Sequence, residues 1–368
     1  MLLLALYSVT SFFFVFLLLG RADSTLTGSE QRLVVRNALG ISPTLGAMRE
    51  LNVFPNTLII EPSHGLGNRI RAYASAAALA RQTERNLVVV WLPDVHVNSK
   101  MSDMFDTASL HVHDVQILDQ VKALYPELRV YDYHARGRKD EVIRDLEKGP
   151  IYVRSAYILQ SQTRVSERDI GKQVRNLSPV EAIINRITHM SSQVATQGNI
   201  LGVHIRMETN IAADVPGIGE LPKDNFASTS FMGDVAYHRG RCHYTAFIPH
   251  LLEAVAVDPQ VLFLISTDSP DAVVKLREIF GTRITPLEVS EELCSGPARR
   301  GMKCLQATLA NFYVLSRMSS SLLLSDWSSA SELIHRLSGE DIQYNSGCVS
   351  HQVPSLVSRL LRPWLIFV

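Results

Sequence analysis

Neither sign of charge is in excess in this chain: 36 lysines and arginines stand against 36 aspartates and glutamates. That balance removes the bulk electrostatic case for nucleic acid or an anionic membrane surface as the main partner. One short basic cluster, Arg136-Gly-Arg138-Lys139, runs straight into Asp140 and Glu141 and reads as a solvated loop. Cysteine is scarce, and Cys242, Cys294, Cys304 and Cys348 show no C-x-x-C spacing, which argues against a zinc site. An even number fits one or two disulfides. Cys294 and Cys304 flank the loop from Ser295 to Lys303 and are the first expected pair, with four buried thiols as the alternative. No internal repeat is present. No third glycine completes a G-x-G-x-x-G fingerprint after Gly65 and Gly67, and Trp91-Leu-Pro-Asp94 is a poor ribose-binding strand end, so a dinucleotide oxidoreductase fits badly.

The one long apolar run is at the start. Leu2 to Leu19 carries no charge and ends at Gly20-Arg21-Ala22-Asp23. It reads as a secretory signal cleaved after Ala22 or as a short uncleaved anchor, without a basic stretch ahead of it. Residues 1–22 are therefore set apart from the fold. Either outcome places the remainder in the secretory pathway, in the lumen of the endoplasmic reticulum or Golgi, where thiols oxidise. Any membrane contact is expected through this segment alone. Asn176-Leu-Ser178 matches a glycosylation sequon, but Pro179 follows it directly and lowers its use.

With 368 residues and 46% hydrophobic content the chain can bury a large core, and its length favours two domains. Residues 23–55 mix charged and small residues and read as a stem or peripheral segment. From Thr57 the chain reads as a strand to Glu61, a turn through Gly65-Leu-Gly67-Asn68, a small-residue helix over 68–84 and a strand over 86–92, which makes a βαβ unit. The two glycines permit positive φ and close contact with a ligand, and the helix N-terminus behind them offers unpaired N–H groups to an anion. Weaker apolar runs at Val115–Leu118, Leu128–Tyr131 and Ile151–Val153 continue an alternating α/β pattern over 56–195.

The pattern restarts at Ile200-Leu-Gly-Val-His204-Ile-Arg206. A second α/β layer over 196–345 is read as helix 243–256, strand 261–265, helix 270–280, strand 283–286, helix 303–317, strand 321–324 and helix 328–337, with 346–368 as a C-terminal segment. Between Asn210 and Gly240 lies a long polar loop, expected to act as a lid or acceptor-reading element because it follows a strand end.

Three strand ends of this second half carry candidate chemistry. In His204-Ile-Arg206 the alternation of a strand points both polar side chains the same way. A guanidinium there can hold phosphate oxygens bidentately and stabilise charge on a departing diphosphate, although a salt bridge is the commoner use of such an arginine. Ser266-Thr-Asp268-Ser-Pro270 places a carboxylate where it can accept from the N1–H and N2 amine of a guanine edge, or simply cap the next helix, with Ser269 expected as the cap and Pro270 in the first turn. Ser325-Asp326-Trp327-Ser328-Ser329 again feeds a helix with hydroxyls at its N-terminus, which suits either an anion cradle or plain capping. Arg239, Arg241, His243 and Tyr244 form a further polar group at a helix entrance.

The turn Gly65-Leu-Gly67-Asn68-Arg69, then His204-Ile-Arg206, then Ser266-Thr-Asp268-Ser, then Trp327-Ser328-Ser329-Ala resembles in order and spacing the fucosyltransferase superfamily of protein O-fucosyltransferases, α1,6-fucosyltransferases and nodulation fucosyltransferases, over roughly residues 57 to 340. That resemblance implies a GT-B fold, two Rossmann-like domains facing a central cleft, and an inverting, metal-independent glycosyltransferase with GDP-fucose as donor substrate, no cofactor, and a protein or glycan hydroxyl as acceptor. It implies Arg206 at the β-phosphate, His204 and Asp268 at the guanine and ribose, and Ser328 and Ser329 at the phosphates. Gly65, Gly67, Asn68 and Arg69 would face the diphosphate and sugar from the other domain, with Asn68 and Arg206 as the catalytic pair. The lack of a clear D-x-D motif agrees. Candidate bases are Glu61, Glu208 and Asp214. Many relatives carry a second arginine and then an aspartate after the first arginine, where this chain reads Met207-Glu208, so a lumenal nucleotide-sugar or glycan-binding protein without turnover stands as the alternative.

Overall fold

A strand that is apolar on both faces belongs inside a parallel sheet covered by helices. Strand β1 (Thr57–Pro62) is buried along its whole length and lies at the centre of the first sheet. It pairs in parallel with β2 (Asn86–Val90) and β5 (Ile151–Ser155), and β3 (His111–His113) and β4 (Arg129–Asp132) form the edges, in the order β3-β2-β1-β5-β4. The second sheet repeats the scheme around β6 (Ile200–Ile205), flanked by β9 (Ser321–Leu324) and β7 (Leu262–Thr267), with β10 (Tyr344–Ser346) and β8 (Ile284–Pro286) outside. Every ladder is parallel, so each sheet gathers its carboxyl ends on one rim. This computed structural model describes residues 50–194, 198–207, 240–287, 294 and 300–348. The apolar N-terminal run, most of the stem, the polar loop with Glu208, Asp214 and Arg239, and residues 349–368 lie outside the described residues. Among the described residues no helix is long and apolar enough to cross a membrane.

Helix α1 (Leu66–Gln82) is rich in alanine because it is enclosed: Ala72, Ala74, Ala76, Ala78 and Ala80 are all buried. It packs on β1 and β2 and also meets α3 (Glu167–Arg175) and α8 (Ser329–Ser338). Helix α4 (Glu181–Val194) packs on α7 (Met302–Met318). Leu58, Ile60, Ile70 and Leu79 of the first half therefore share one continuous core with Leu309, Phe312, Leu333 and Ile334 of the second. Polar bonds cross the same seam. Tyr313 Oη donates to the Leu177 carbonyl at 3.1 Å, and Gln306 Nε2 donates to the Asp103 carbonyl at 2.6 Å. The outer faces carry separate cores, one joining Phe247 of helix α5 (Tyr244–Val257) and Leu276 of helix α6 (Pro270–Phe280) to Phe263 of β7, the other around Ile59, Val88 and Tyr152.

Most elements lie within a residue or two of their expected positions. The run Val115–Leu118 does not form a strand. The strand is His111–His113, and helix α2 (Leu118–Leu124) begins on the last residue of the apolar run, because Gln116 Oε1 accepts from the amides of Ile117 and Leu118 at 2.9 and 3.0 Å and turns the chain there. The cysteines form two disulfides, the expected Cys294–Cys304 and also Cys242–Cys348.

Candidate functional site

The turn after β1 places its strain on a residue other than the glycines. Gly65, the N-cap of α1, has φ −64°, and Gly67 is helical; the left-handed residue is His64, at φ 64°. The glycines serve close approach instead. A Cβ on Gly67 would stand 2.3 Å from the carbonyl oxygen of Ser329 and 2.6 Å from its carbonyl carbon. The first turn of α1 thus touches the first turn of α8 across the seam. Each helix N-terminus carries unpaired N–H groups and about half a positive charge, so two such ends in contact form a cradle for an anion. Ser328 caps α8 as expected, accepting from the Ser331 amide at 3.3 Å.

In the second half, β6 and β7 end side by side. Arg206 lies just past the β6 ladder, where its amide donates to Ser325 Oγ at 2.9 Å and its guanidinium forms an ion pair with Asp268. Asp268 also accepts from the Met207 amide at 2.9 Å. The carboxylate is thus the partner of Arg206 rather than a helix cap, and Ser269 makes no side-chain cap although Pro270 does open α6. His204 takes a different direction. It is 4% exposed, its Nδ1 lies 2.8 Å from Ser331 Oγ, and its ring meets Phe312 edge-on. Burial pushes its pKa down to about 4, with Arg206 adding to the drop and Asp268 opposing it, so the ring is neutral. His204 therefore holds α8 from beneath, inside the half, and does not reach the rim beside Arg206.

The facing half supplies fixed rather than mobile groups. Arg69 is fully buried and its guanidinium is engaged within its own half. It donates to the carbonyls of His64 at 2.9 Å and Leu92 at 2.7 Å, pairs with Asp94 at 2.7 Å and covers the Trp91 ring. It pins the turn to β2 and is not turned toward the cradle. Asn68 is half-buried beside Gly65, and its side-chain amide has no hydrogen-bond partner among the described residues. Glu61 lies on the far face of the sheet, away from α1, where Tyr152 and Gln116 Nε2 donate to it and Arg154 pairs with it at 3.1 Å. The structure does not bring it to the cradle. Arg71 reaches across the seam to Glu332 at 2.9 Å and donates to the Ala156 carbonyl. Burial works to raise the Glu332 carboxyl, but Arg71 and Arg336 outweigh it and hold the pKa below the ordinary value.

Two features had no signal that spacing alone could read. His64, His96 and His134 follow β1, β2 and β4, and the parallel topology collects them on one rim. His64 and His134 approach to 3.4 Å, ring centroids of His64 and His96 lie 5.3 Å apart, and Ser63 Oγ lies 2.6 Å from His134 Nε2. Trp327 stands 62% exposed at φ 55°, an unusual backbone state for so bulky a residue, in the turn between β9 and α8. The Cys242–Cys348 bridge supports that turn, since Cys348 Sγ accepts from the Asp326 amide at 3.1 Å. At the α5 entrance, His243 caps the helix through Thr245, and burial lowers its pKa.

No family model matches the chain, and no curated protein matches its sequence. In three dimensions it is similar to solved fucosyltransferases. A mutant of Arabidopsis thaliana FUT1 in complex with GDP superposes with a TM-score of 0.51 at 14% identity, over 85% of this chain and 75% of that one. The fucosyltransferase NodZ from Bradyrhizobium gives 0.48 at 17%, over 77% and 92%. POFUT1 in complex with GDP-fucose gives 0.43 at 12%, over 80% and 99%. The likeness to FUT1 is one of fold: two Rossmann-like α/β halves facing a cleft, the GT-B arrangement.

Proposed function

We propose that the protein is an inverting, metal-independent glycosyltransferase that moves fucose from GDP-fucose to a hydroxyl of a protein or glycan. The contact of Gly67 with Ser329 carries this reading, because it sets two helix N-termini against one another, four residues past the Ser325 hydroxyl that accepts from the Arg206 amide. Opposed positive ends stabilise a diphosphate far better than they stabilise each other. Arg206 has further N–H donors beyond the one given to Asp268, and these meet the β-phosphate as negative charge builds on the leaving diphosphate. Asp268 orients the guanidinium and lies on the rim where the guanine would rest. Ser328 and Ser329 line the phosphate side, and Asn68 approaches the sugar from the facing half. His204 and Arg69 act one step back, each fixing one wall of the cradle. The GDP bound to FUT1, which shares the fold, agrees with this donor. Two disulfides support a lumenal location in the secretory pathway.

The test is a thermal-shift screen of the purified full chain with GDP, GDP-fucose, GDP-mannose and UDP-sugars, followed by an assay for GDP release. GDP and GDP-fucose should raise the melting temperature, since a ligand that prefers the native state must do so, and GDP-fucose should turn over. A shift with UDP-sugars alone would sink the donor assignment. The Arg206–Asp268 ion pair favours one second reading, a nucleotide-sugar-binding protein whose arginine stays engaged, and binding of GDP-fucose without turnover would select it.

A further inference from the structure

The transferase reading leaves one role open, the group that receives the acceptor's proton, and the histidines on the first rim offer it. His64 occupies a left-handed position one residue before the N-cap of α1, although a neighbouring glycine could have taken that conformation. Backbone strain of this kind persists where the side chain's placement matters. The ring is half-buried and packs against His134 and His96; the nearest fixed charges are Asp94 and Arg69, which pair with each other. Burial first, then His134, His96 and Arg69 against an opposing Asp94, hold its pKa down to about 4, so the imidazole is neutral at ordinary pH and one ring nitrogen carries a lone pair. Glu61, the carboxylate nearest in sequence, is held by three partners on the opposite face.

Resting on the transferase reading, we propose that His64 is the general base of this site, with His134 and Ser63 behind it as its orienting chain. His64 Nε2–H can donate to His134 Nδ1 and His134 Nε2–H to Ser63 Oγ, along contacts of 3.4 and 2.6 Å, which leaves the lone pair on His64 Nδ1 for the acceptor's proton. The acceptor's O–H bond breaks and its proton passes to Nδ1. The acceptor oxygen bonds to the anomeric carbon, and the bond from that carbon to the phosphate oxygen breaks, its electron pair leaving on the diphosphate. The proton on His64 is lost to solvent between turnovers.

Hydrolysis of GDP-fucose, with water as acceptor, tests this without knowledge of the natural acceptor. Two variants keep the turn: His64→Asn, because asparagine tolerates positive φ, and His64→Gly, which relieves it. Both should retain the GDP-induced thermal shift and lose about 100-fold or more in kcat. Added imidazole should restore turnover in H64G and not in wild type. Turnover within about twofold of wild type in either variant, where base catalysis should supply at least 100-fold, overturns the proposal. So does a loss that imidazole fails to restore while the GDP shift is intact. If both variants lose the shift, His134→Gln carries the test: a fall in kcat with GDP binding kept supports the chain, and unchanged kcat overturns it. A wild-type chain without any GDP shift defeats the donor reading itself, a wild-type GDP shift without turnover selects the binding-protein reading and leaves no step for a base, and wild-type turnover that either variant keeps defeats only the assignment of His64.

Discussion

Gly67 and Ser329 touch backbone to backbone across the seam between the two halves, so closely that any Cβ on Gly67 would fall 2.3 Å from the Ser329 carbonyl oxygen. The obstruction is main chain on both sides and cannot swing away. Gly67→Ala should therefore wedge α1 from α8 and cost about 1–3 kcal/mol, the usual penalty of overpacking. Urea denaturation measures the cost. GDP affinity should fall with it, whereas Gly65→Ala, whose Cβ would meet nothing nearer than Asn68 Nδ2 at 3.9 Å, should bind GDP almost normally.

Removing Arg206 tests the leaving-group role. Arg206→Ala should lower GDP-fucose turnover by about 10²–10³-fold, as loss of a preorganised charge-stabilising donor does. The fold should survive, because the side chain is on the rim and outside the shared core. Asp268→Asn should weaken GDP binding and leave the melting temperature close to that of wild type. Equal turnover in wild type and R206A would remove the arginine from the mechanism.

Acid should destabilise the protein well before its carboxylates titrate. His204 has a folded pKa lowered from 6.5 to about 4, so between those values the unfolded chain takes up a proton that the folded one refuses. Its contribution is complete above about pH 6.5 and lost progressively as the pH falls toward 4. The drop corresponds to at most roughly 3 kcal/mol. His204→Gln should flatten the stability curve over that window; a curve parallel to wild type would show that the buried ring does not set the slope. His64, lowered in the same sense, should leave part of the slope in place.

The two disulfides should differ in worth. Cys242–Cys348 closes a separation of 106 residues and Cys294–Cys304 one of 10. Chain entropy gives about 4.7 kcal/mol for a loop near 100 residues and about 3 kcal/mol or less for one of 15 or fewer. Cys348→Ser should thus destabilise more than Cys294→Ser in guanidinium unfolding. It should also weaken GDP binding, since Cys348 supports the turn from Asp326 into α8.

The clamp at the seam gives a further check. Glu332 binds Arg71 of the facing half and Arg336 of its own helix, and these cations depress its pKa. A depressed carboxyl stabilises above its unfolded pKa and loses that contribution as the pH falls through the folded value. Glu332→Gln should lower stability at pH 7 and remove that share of the loss at the acid end, where wild type and variant should converge.

Period and punctuation carry most of the fold in the sequence. The uninterrupted apolar run of β1, the alanine-rich face of α1 and Pro270 at the start of α6 are local, because burial on both faces, close helix packing and a fixed φ each leave a mark within a few residues. The order of strand-end motifs from Gly65 to Ser329 was legible for the same reason: a parallel sheet puts every strand's carboxyl end on one rim. What each side chain does at that rim was decided only in three dimensions. His204 and Arg206 share a parity, yet one is drawn down to Ser331 and the other held by Asp268. Arg69 is consumed by Asp94 and two carbonyls, and Glu61 by partners on the opposite face. Gly67 is glycine because of Ser329, which lies 262 positions away, and the three histidines meet only because β1, β2 and β4 share a sheet. Local sequence sets backbone conformation, whereas partners for charge and contact across the seam come from chain segments that only the folded topology brings together.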